Sequence, residues 1–576
     1  MTRRRSFLAT LVTLSLRSST LDGALPRVAD PDFGPNVTIF DAATSRATIQ
    51  AKLDSVFTSQ ETSQFGERRV ALLFKPGTYD VDASVGFYTQ ISGLGLSPDD
   101  VQINGSVRAD ARWRKGNATL NFWRIAENMS VTPDSGFDRW AVSQAAPMRR
   151  MHIRGELVLD DGGWSSGGIL ADSRVDGQVR SGSQQQWLTR GSELGSWTGA
   201  NWNMVFVGTS GAPAESFPDP PYTTIDSVPL IREKPFLYID AGGAWKVFVP
   251  ALQSNRRGTT WGSGRPEGVA HALSEFVIVK PGSSASMMNA ALARNKNLII
   301  TPGIYHLDAP LHVTRPNTIV LGLGLATLVA DNGVAAINVD DVGGVTIAGV
   351  LIDAGETNSP VLMQVGPPGR GSTASHVSNP TLLSDVFVRV GGAGVGEAER
   401  SIVINSTNVI GDHLWLWRAD HGKGVGSTVN TAANGLIVNG NDVTMYGLFV
   451  EHYQQYQVQW NGNAGRTYFF QNEMPYDVPE QAEWMNGETR GFAAYQVGAA
   501  VTSHEAWGLG SYCFFNKNPS VVADRAFETP VTANVRLRNM VTVSLGGGKG
   551  TIAHVINDAG HAAAAGATVQ KMASER

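Results

Sequence analysis

The sequence contains two copies of one unit, and this internal repeat limits the chain to tandem domains of similar fold. Residues 70–96 and 297–325 share one order: an apolar strand, a Pro-Gly-x-Tyr turn, an alternating strand and Gly-Leu-Gly-Leu. A segment with helical character precedes each copy, at 45–57 and at 284–295. We therefore predict two similar domains.

Short β-branched strands recur through both copies, and most are not separated by helices of crossover length. This spacing excludes a Rossmann fold or an α/β barrel. Glycine supplies 64 of the 576 residues, above the usual share of roughly 7%, which suits a fold with many sharp turns. The pattern predicts an all-β chain of two tandem right-handed parallel β-helix domains packed side by side. A pair of β-sandwiches is the structural alternative.

Prolines divide the chain. A cluster of six lies between residues 211 and 235, a density that disfavours regular strand pairing. The predicted organisation is a signal peptide and the start of the mature chain at 1–30, a first β-helix at 31–210, a Pro-rich connecting segment at 211–270 and a second β-helix at 271–576.

The amino terminus predicts export. Three arginines precede an apolar run that ends near Leu16, and Arg4-Arg5-Ser6-Phe7-Leu8 is similar to a twin-arginine export motif. The run is too short to span a membrane. We expect a secreted, extracellular protein with no membrane contact after signal removal. A random basic start is the alternative.

Charge and motifs exclude several functions. With 46 basic and 51 acidic side chains the net charge is −5, which argues against nucleic acid as a partner. The single cysteine, Cys513, excludes an intrachain disulfide and a cysteine zinc site. Phosphate-binding loops, dinucleotide fingerprints and nucleophile elbows are all missing from the sequence. We predict no cofactor and no metal site.

Residues 446–478 carry the strongest chemical signal. Glu451 and Glu473 lie 22 residues apart among interleaved aromatic and amide side chains, a mixture that suits sugar binding. A separation of about one coil would bring their backbones to roughly 5 Å. One of two such carboxylates would keep its proton, as a general acid requires. The alternative is a pair of solvated glutamates.

The chain resembles glycoside hydrolase family 55, the tandem β-helix β-1,3-glucanases, from about Asp32 to about Gly560. The resemblance rests on the two Pro-Gly-x-Tyr units and on the motifs GDHLWLWRADH (411–421), FVEHY (449–453), YFFQNEMPY (468–476) and TVSLGGG (542–548). It implies two pectate-lyase-like β-helices with an active site between them, and inverting, mostly exo-acting cleavage of β-1,3-glucan.

The same resemblance assigns roles to residues. Glu473 matches the family's catalytic acid and Glu451 a second, supporting glutamate. The family holds its attacking water with glutamines and a serine of the first domain, for which Gln184, Gln186 and Ser210 are the candidates, with Thr209 as an alternative to the serine. Because inverting enzymes separate acid and base by roughly 6.5–9.5 Å, we do not assign Glu451 as the base. We expect Glu451 to raise the pKa of Glu473 and to bind a sugar hydroxyl.

Seven aromatic residues are candidate sugar contacts. Trp415 and Trp417 alternate on one strand and suit a sugar platform or the core equally well. The others are Trp187, Tyr453, Tyr456, Trp460 and Tyr476. The expected partner is a neutral β-glucan bound by a monomer. A β-helix polysaccharide lyase and a noncatalytic carbohydrate-binding solenoid are the alternative functions.

Overall fold

A computed structural model describes Met1 and residues 29–574, apart from 263, 265 and 370. Nearly all of the predicted signal segment lies outside the described residues. The rest forms two parallel β-helices joined by a small antiparallel region, so the predicted all-β class and β-helix architecture are confirmed.

The first β-helix begins with β1 and one helix, α1 (Arg46–Gln60), whose first turn is capped by Ser45. Its main sheet has the order β1-β2-β4-β6-β8-β10-β12-β14-β15, and neighbouring strands in this order are all parallel. The strands are β1 (Val37–Phe40), β2 (Val70–Phe74), β3 (Gly77–Ser84), β4 (Thr89–Gly93), β5 (Val101–Arg108), β6 (Arg124–Pro133), β7 (Phe137–Arg139), β8 (Met148–Ile153), β9 (Glu156–Val158), β10 (Ile169–Ala171), β11 (Arg174–Arg180), β12 (Gln186–Arg190), β13 (Glu193–Thr198), β14 (Asn203–Val207) and β15 (Tyr222–Ile225).

The connecting segment differs from its prediction. Strand β15 still pairs in parallel with β14, so the first sheet continues beyond residue 210. Two antiparallel pairings follow, β16 with β19 and β17-β18-β20, because most prolines stand just outside the strands or at their ends. These strands are β16 (Val228–Ile231), β17 (Phe236–Ile239), β18 (Trp245–Pro250), β19 (Gln253–Arg256) and β20 (Gly268–Ala272).

The second β-helix has two long sheets. One runs β21-β22-β25-β27-β29-β31-β33-β35-β39-β41-β43, and the other runs β24-β26-β28-β30-β32-β34-β38-β40-β42. Its elements are β21 (Phe276–Val279), α2 (Ala285–Ala293), β22 (Asn297–Ile300), β23 (Ile304–Leu307), β24 (Leu311–Val313), β25 (Ile319–Ala330), β26 (Ile337–Val339), β27 (Thr346–Ala354), β28 (Met363–Val365), β29 (Leu382–Val390), β30 (Arg400–Ile404), β31 (Ile410–Arg418), β32 (Asn434–Val438), β33 (Thr444–Glu451), β34 (Val458–Trp460), β35 (Gly465–Glu473), β36 (Met485–Asn486), β37 (Thr489–Arg490), β38 (Tyr495–Val497), β39 (His504–Cys513), β40 (Val522–Glu528), β41 (Val535–Ser544), β42 (Thr551–Ile556) and β43 (Val569–Ser574).

The two repeat copies are equivalent in atomic detail. In the first copy the Tyr79 hydroxyl donates to the carbonyls of Phe40 and Lys75, and in the second the Tyr305 hydroxyl donates to those of Val279 and Thr301. Helix α2 is capped by Ser284 as α1 is by Ser45. The Pro-Gly-x-Tyr motif therefore closes the same turn in both domains.

A column of left-handed backbone positions runs along the second β-helix. Between each two neighbouring strands of its first sheet, one residue pair is missing from the strand pairing, always at the same height along the strands. The residues at that height have φ between 49° and 72°. We call this set the left-handed column, and it consists of Gly349, Asp385, His413, Gly447, Phe469, Gly508 and Asn539. Its members contact the first domain: Asp385 binds Arg149, and Gly508 lies against Val205. The column therefore marks the interface between the domains.

Candidate active site

A cavity of about 240 Å³ lies between the two β-helices. One wall comes from the first domain and consists of Thr119, Leu120, Phe122, Gln144, Ser166 and Gln185. The second domain supplies Trp415, Trp417, Asp420, His421, Glu451, His452, Glu473, Tyr476 and Leu545. Both predicted glutamates therefore meet in one interdomain pocket.

Glu451 and Glu473 end two adjacent strands, β33 and β35. These strands pair with Phe449 opposite Gln471, and the His452 N–H donates to the Glu473 carbonyl at 2.8 Å. The register places the two glutamates on successive coils, as their 22-residue separation predicts.

Glu451 is almost fully buried, and both carboxylate oxygens are occupied. Gln144 Nε2 donates to Oε1 at 3.0 Å, and Trp415 Nε1 donates to Oε2 at 2.8 Å. Burial raises the pKa of Glu451 well above its ordinary value, and the charge of Glu473 raises it further. The two hydrogen bonds oppose this rise because they favour the charged form.

Glu473 is more open to the cavity. The Tyr476 hydroxyl donates to Oε2, and His452 Nε2 lies 3.7 Å from the same oxygen. Burial raises the pKa of Glu473, whereas His452 and the Tyr476 hydrogen bond oppose the rise. A carboxyl group in such surroundings can hold a proton near neutral pH and release it on demand.

Asp420 lies beside this group. Burial would raise its pKa, but the hydrogen bond from His421 and the charges of His452 and His421 lower it to about 2. Asp420 therefore remains an anion at the pocket edge, and its negative charge helps to raise the pKa of Glu473.

The opposite wall presents neutral hydrogen-bonding groups. Gln144 Nε2 also lies 3.3 Å from Ser166 Oγ, which donates to Ser143 Oγ at 2.9 Å. Gln185 lines the same pocket, and its buried Oε1 has no protein hydrogen-bond partner. An unpaired buried acceptor costs about 1–3 kcal/mol, so this oxygen is suited to a water or a ligand hydroxyl.

The two glutamines predicted to hold the water lie outside the pocket. Gln184 lies outside the pocket lining; its amide donates to the carbonyls of Val142 and Leu159 and accepts from the Gly167 N–H. Gln186 lies over Gly510 of the other domain and accepts from the Tyr512 hydroxyl. The placement of both in the cleft is wrong, and the residue between them, Gln185, lines the pocket instead.

The predicted serine is also misplaced. Asn203 at the start of β14 pairs with Gln186, whereas Ser210 lies beyond the far end of that strand and pairs with Glu193. At about 3.3 Å per residue, this places Ser210 well away from the pocket. Thr209 is occupied by a bond to the Thr189 carbonyl. Ser166 supplies the hydroxyl at the site.

Sequence reasoning missed Gln144, Ser166 and Gln185 because no strand pattern marks them. A usable signal was their spacing: they follow one another at about one coil, as the two glutamates do. Gln144 also has an unusual backbone, with φ of 25°.

Three predicted aromatic residues line the pocket. Trp415 and Trp417 stack at 5.0 Å with an 18° interplanar angle, and Tyr476 packs on the His452 ring at 4.4 Å. The tryptophans are also buried against Phe122 of the first domain. They therefore belong to both the interface core and the pocket wall.

The other four aromatic candidates lie elsewhere. Trp187 belongs to the core of the first β-helix, and Tyr453 and Trp460 belong to that of the second. Tyr456 packs on Phe492 and accepts from Asn486, outside the pocket lining. The sugar-contact predictions for Trp187, Tyr453 and Trp460 are wrong because inward-facing aromatic side chains fill β-helix cores, whereas Tyr456 is excluded by its place outside the pocket.

A buried ionic network joins the domains beside the pocket. Arg149 bonds Asp385 and Asp412, at 2.8 Å and 2.6 Å at the closest, and Arg190 bridges Asp412 and Glu233. Lys234 binds Asp385 at 3.0 Å and also contacts Glu127. Asp412 accepts from both arginines and links them within this network.

Among the residues that the structure describes, no group of His, Cys, Asp and Glu side chains is arranged to hold a metal ion. Within the same ranges, no helix is long and apolar enough to cross a membrane. Cys513 is buried, and burial raises the pKa of its thiol to about 12.

Comparison with known proteins agrees with the fold. The model of the LAM55 pectate lyase-like domain matches residues 276–473. An exo-beta-1,3-glucanase of Streptomyces sp. (strain SirexAA-E / ActE) is 55% identical over 536 residues, covering 92% of this chain and 88% of that protein.

Two solved structures give the same result. That of sacteLam55A from Streptomyces sp. SirexAA-E has a TM-score of 0.93 and 53% identity, and the match covers 94% of this chain and 99% of that one. A glutamate-to-alanine variant of sacteLam55A in complex with glucose also has a TM-score of 0.93 and 53% identity, with 96% and 100% covered. With this identity over nearly its whole length, and with two β-helices enclosing a paired-glutamate pocket, the chain belongs to glycoside hydrolase family 55.

Proposed function

We propose that the protein is an exo-acting β-1,3-glucanase that cleaves with inversion and uses Glu473 as the general acid. One observation carries the proposal: a carboxyl group with a raised pKa lines the same small cavity as the amides of Gln144 and Gln185 from the other domain. The 55% identity to an exo-beta-1,3-glucanase supports the linkage and the exo action.

The leaving group departs with the proton of Glu473. That proton passes to the glycosidic oxygen as the bond to the anomeric carbon breaks, and Glu473 becomes an anion. The Tyr476 hydroxyl and the nearby His452 ring stabilise this anion. Trp415 and Trp417 are almost fully buried and form part of the apolar wall behind the sugar.

Water attacks the anomeric carbon from the opposite side. Gln144, Ser166 and Gln185 hold it, and the unpaired Oε1 of Gln185 accepts one of its hydrogens. The other proton passes to Ser166 Oγ. The Ser166 hydroxyl proton passes in turn to Gln144 Oε1 at 3.5 Å, and Gln144 Nε2 gives a proton to Glu451 Oε1 at 3.0 Å, which leaves Gln144 as its imidic acid tautomer. Because the charge of Glu473 raises the pKa of Glu451, Glu451 becomes the better proton acceptor once the acid is spent. In each turnover Glu473 loses one proton to the leaving group and Glu451 gains one from the relay. The Glu451 proton then returns to Gln144 Nε2, Gln144 Oε1 releases its proton to solvent, and solvent reprotonates Glu473.

The cavity also supports exo action. Its volume of about 240 Å³ is below the roughly 300–1,000 Å³ of pockets that bury drug-sized ligands. A site of this size suits the terminal sugar of a chain.

The decisive experiment is product analysis on laminarin by proton NMR. We expect glucose released as the α-anomer before mutarotation, and no release from β-1,4-, β-1,6- or α-glucans. Initial β-anomer would contradict inversion. Release of longer fragments at early times would contradict exo action.

Export and a monomeric state belong to the same proposal. The basic start and the apolar run after it support secretion. Expression in a host with a working twin-arginine pathway is expected to yield active enzyme in the medium, and an Arg4→Lys, Arg5→Lys double variant should remain in the cell. Light scattering should give one chain per particle; a dimer mass would contradict the monomer.

A further inference from the structure

His413 lies in the left-handed column and contacts both the ionic network and the pocket. Its Nδ1 is 2.8 Å from Asp385 Oδ1, and its Nε2 is 3.2 Å from the backbone carbonyl of Gln144. The ring is fully buried, with Phe387 and Phe449 packed edge-on at 5.1 Å and 5.7 Å. It is not itself part of the pocket lining.

The two partners of His413 both accept hydrogen bonds. Burial would raise the pKa of Asp385, but Arg149, Lys234 and His413 hold it well below its ordinary value, so the group is a carboxylate. A backbone carbonyl can only accept. A neutral imidazole donates from only one ring nitrogen, so its other nitrogen would direct a lone pair at the oxygen of the second partner. Only an imidazolium satisfies both contacts.

The charges of the network lead to the same protonation state. Its acids are Glu127, Glu233, Asp385 and Asp412, and its bases besides His413 are Arg149, Arg190 and Lys234. The adjacent pair Arg150 and Asp172 adds one charge of each sign. An imidazolium at His413 makes this buried set neutral, which avoids an uncompensated buried charge.

His413 is also the member of the network most able to lose its proton. Burial lowers the pKa of His413 overall, and the hydrogen bond and charge of Asp385 offset this shift only in part. The two acceptors that face its ring nitrogens outweigh burial and hold both protons at neutral pH. Arg149 and Asp412 also face the ring, with opposite signs. The guanidinium groups stay charged at any working pH.

The contact with Gln144 matters for the reaction. The Gln144 carbonyl accepts from the Ala146 N–H at 2.6 Å and from His413, and these two bonds hold the Gln144 backbone, whose φ is 25°. The side chain of that residue reaches Glu451 and Ser166. We propose that His413, as an imidazolium, is a positioning residue that holds the Gln144 peptide so that its amide orients the attacking water.

This inference rests on the proposed role of Gln144, and two substitutions of one side chain test it. In His413→Gln the amide nitrogen can replace Nε2 and keep the bond to Gln144. In His413→Asn the shorter amide can replace Nδ1 and keep only the bond to Asp385. We expect kcat to fall about 10–100-fold in His413→Asn with KM nearly unchanged, and His413→Gln to retain most of kcat.

The control is His376→Asn, since His376 binds Asp341 at 2.9 Å outside the network. It should leave kcat unchanged. Equal losses in the Asn and Gln variants of His413, or a kcat in His413→Asn that matches the parent, would overturn the positioning role.

Protonation is read separately by ¹⁵N NMR of histidine-labelled protein, with the His413 signal assigned by its absence in His413→Asn. We expect both ring nitrogens to be protonated at neutral pH, and loss of one proton at higher pH to coincide with a fall in kcat that is missing in His413→Gln. A singly protonated ring at neutral pH refutes the inference. If instead Gln144→Ala retains its kcat, the proposed water site fails while the NMR result stands.

Discussion

Glu451 and Glu473 lie on successive coils, yet their surroundings differ in kind. Glu451 accepts hydrogen bonds on both oxygens, from Gln144 and Trp415, whereas Glu473 is bonded by Tyr476 and opens to the cavity. Burial raises the pKa of both carboxyl groups, the two hydrogen bonds to Glu451 oppose that rise at Glu451, and mutual repulsion disfavours two anions side by side. The pair is therefore suited to share one proton.

Replacing Glu473 should lower the rate of hydrolysis without lowering the stability of the fold. Glu473→Gln is expected to lower kcat/KM on laminarin by about 10²–10⁴-fold, because protonation of the leaving group is lost. An aryl glucoside with a very acidic leaving group needs no such proton and should lose far less. Steady-state kinetics on both substrates, with a thermal unfolding control, measure this. Near-parental activity on laminarin would exclude Glu473 as the acid.

The Tyr476 hydroxyl should set the alkaline limit of activity. Its hydrogen bond stabilises the Glu473 anion and so lowers the pKa of that carboxyl group. Since the acid must be protonated to react, activity falls as the pH rises through its pKa. Tyr476→Phe removes the donor, raises the pKa and should shift the alkaline limb of kcat/KM to higher pH. A shift to lower pH would contradict this assignment.

Neighbouring glutamines should have opposite phenotypes. Gln185→Ala is expected to lower kcat about 10–100-fold with little change in stability, because it removes a contact to the water. Gln184→Ala leaves three backbone groups unpaired and should lower the free energy of unfolding by at least about 2 kcal/mol. Its kcat per folded molecule should match the parent. Urea unfolding and active-site-normalised kinetics distinguish the two outcomes, and a reversed pattern would restore the original assignment.

The ionic network should carry much of the interdomain stability. Asp412→Ala leaves Arg149 and Arg190 partly unpaired in a buried site and should cost about 3–5 kcal/mol. The exposed pair of Arg525 and Asp558 is the control, and Asp558→Ala should cost about 1 kcal/mol or less. Denaturant unfolding at pH 7 measures both. Equal small losses would mean that the domains are held by apolar packing alone.

Asp385 should make the free energy of unfolding depend on pH in the acidic range. Its pKa is depressed in the folded state, so its contribution is complete above the unfolded value of about 3.9 and is lost as the pH falls toward the folded pKa. Unfolding free energies at pH 3 and pH 7 in Asp385→Asn should therefore differ less than in the parent. An unchanged difference would show that other carboxylates dominate.

Sequence periodicity predicts the features of this molecule that repeat. The two helices, their serine caps and the paired Pro-Gly-x-Tyr turns follow from local patterns, and so does the one-coil spacing of the glutamates. The direction of the Gln184 side chain does not follow from periodicity. It precedes β12 and lies at a corner, where the two-residue alternation of a strand does not apply.

The sequence also cannot separate aromatic side chains of the core from those of the pocket. Strands of this β-helix are apolar on both sides, because one side fills the core and the other covers the neighbouring domain. Trp460 and Trp417 consequently have similar sequence surroundings, although Trp460 lies in the core and Trp417 in the pocket wall. Only the packing of the two domains distinguishes them.

The left-handed column has a geometric consequence for the cleft. Its side chains stand between the domains, and their sizes differ from coil to coil: Gly447 and Gly508 bring the backbones close, with Leu188 and Val205 directly against them. A methyl group at Gly508 would come within 2.4 Å of Val205. The size of the residue at each position of the left-handed column therefore determines the width of the cleft at that coil. A larger residue at Gly508 would therefore push the two backbones apart at that coil and change the cleft width there, with the catalytic residues left in place.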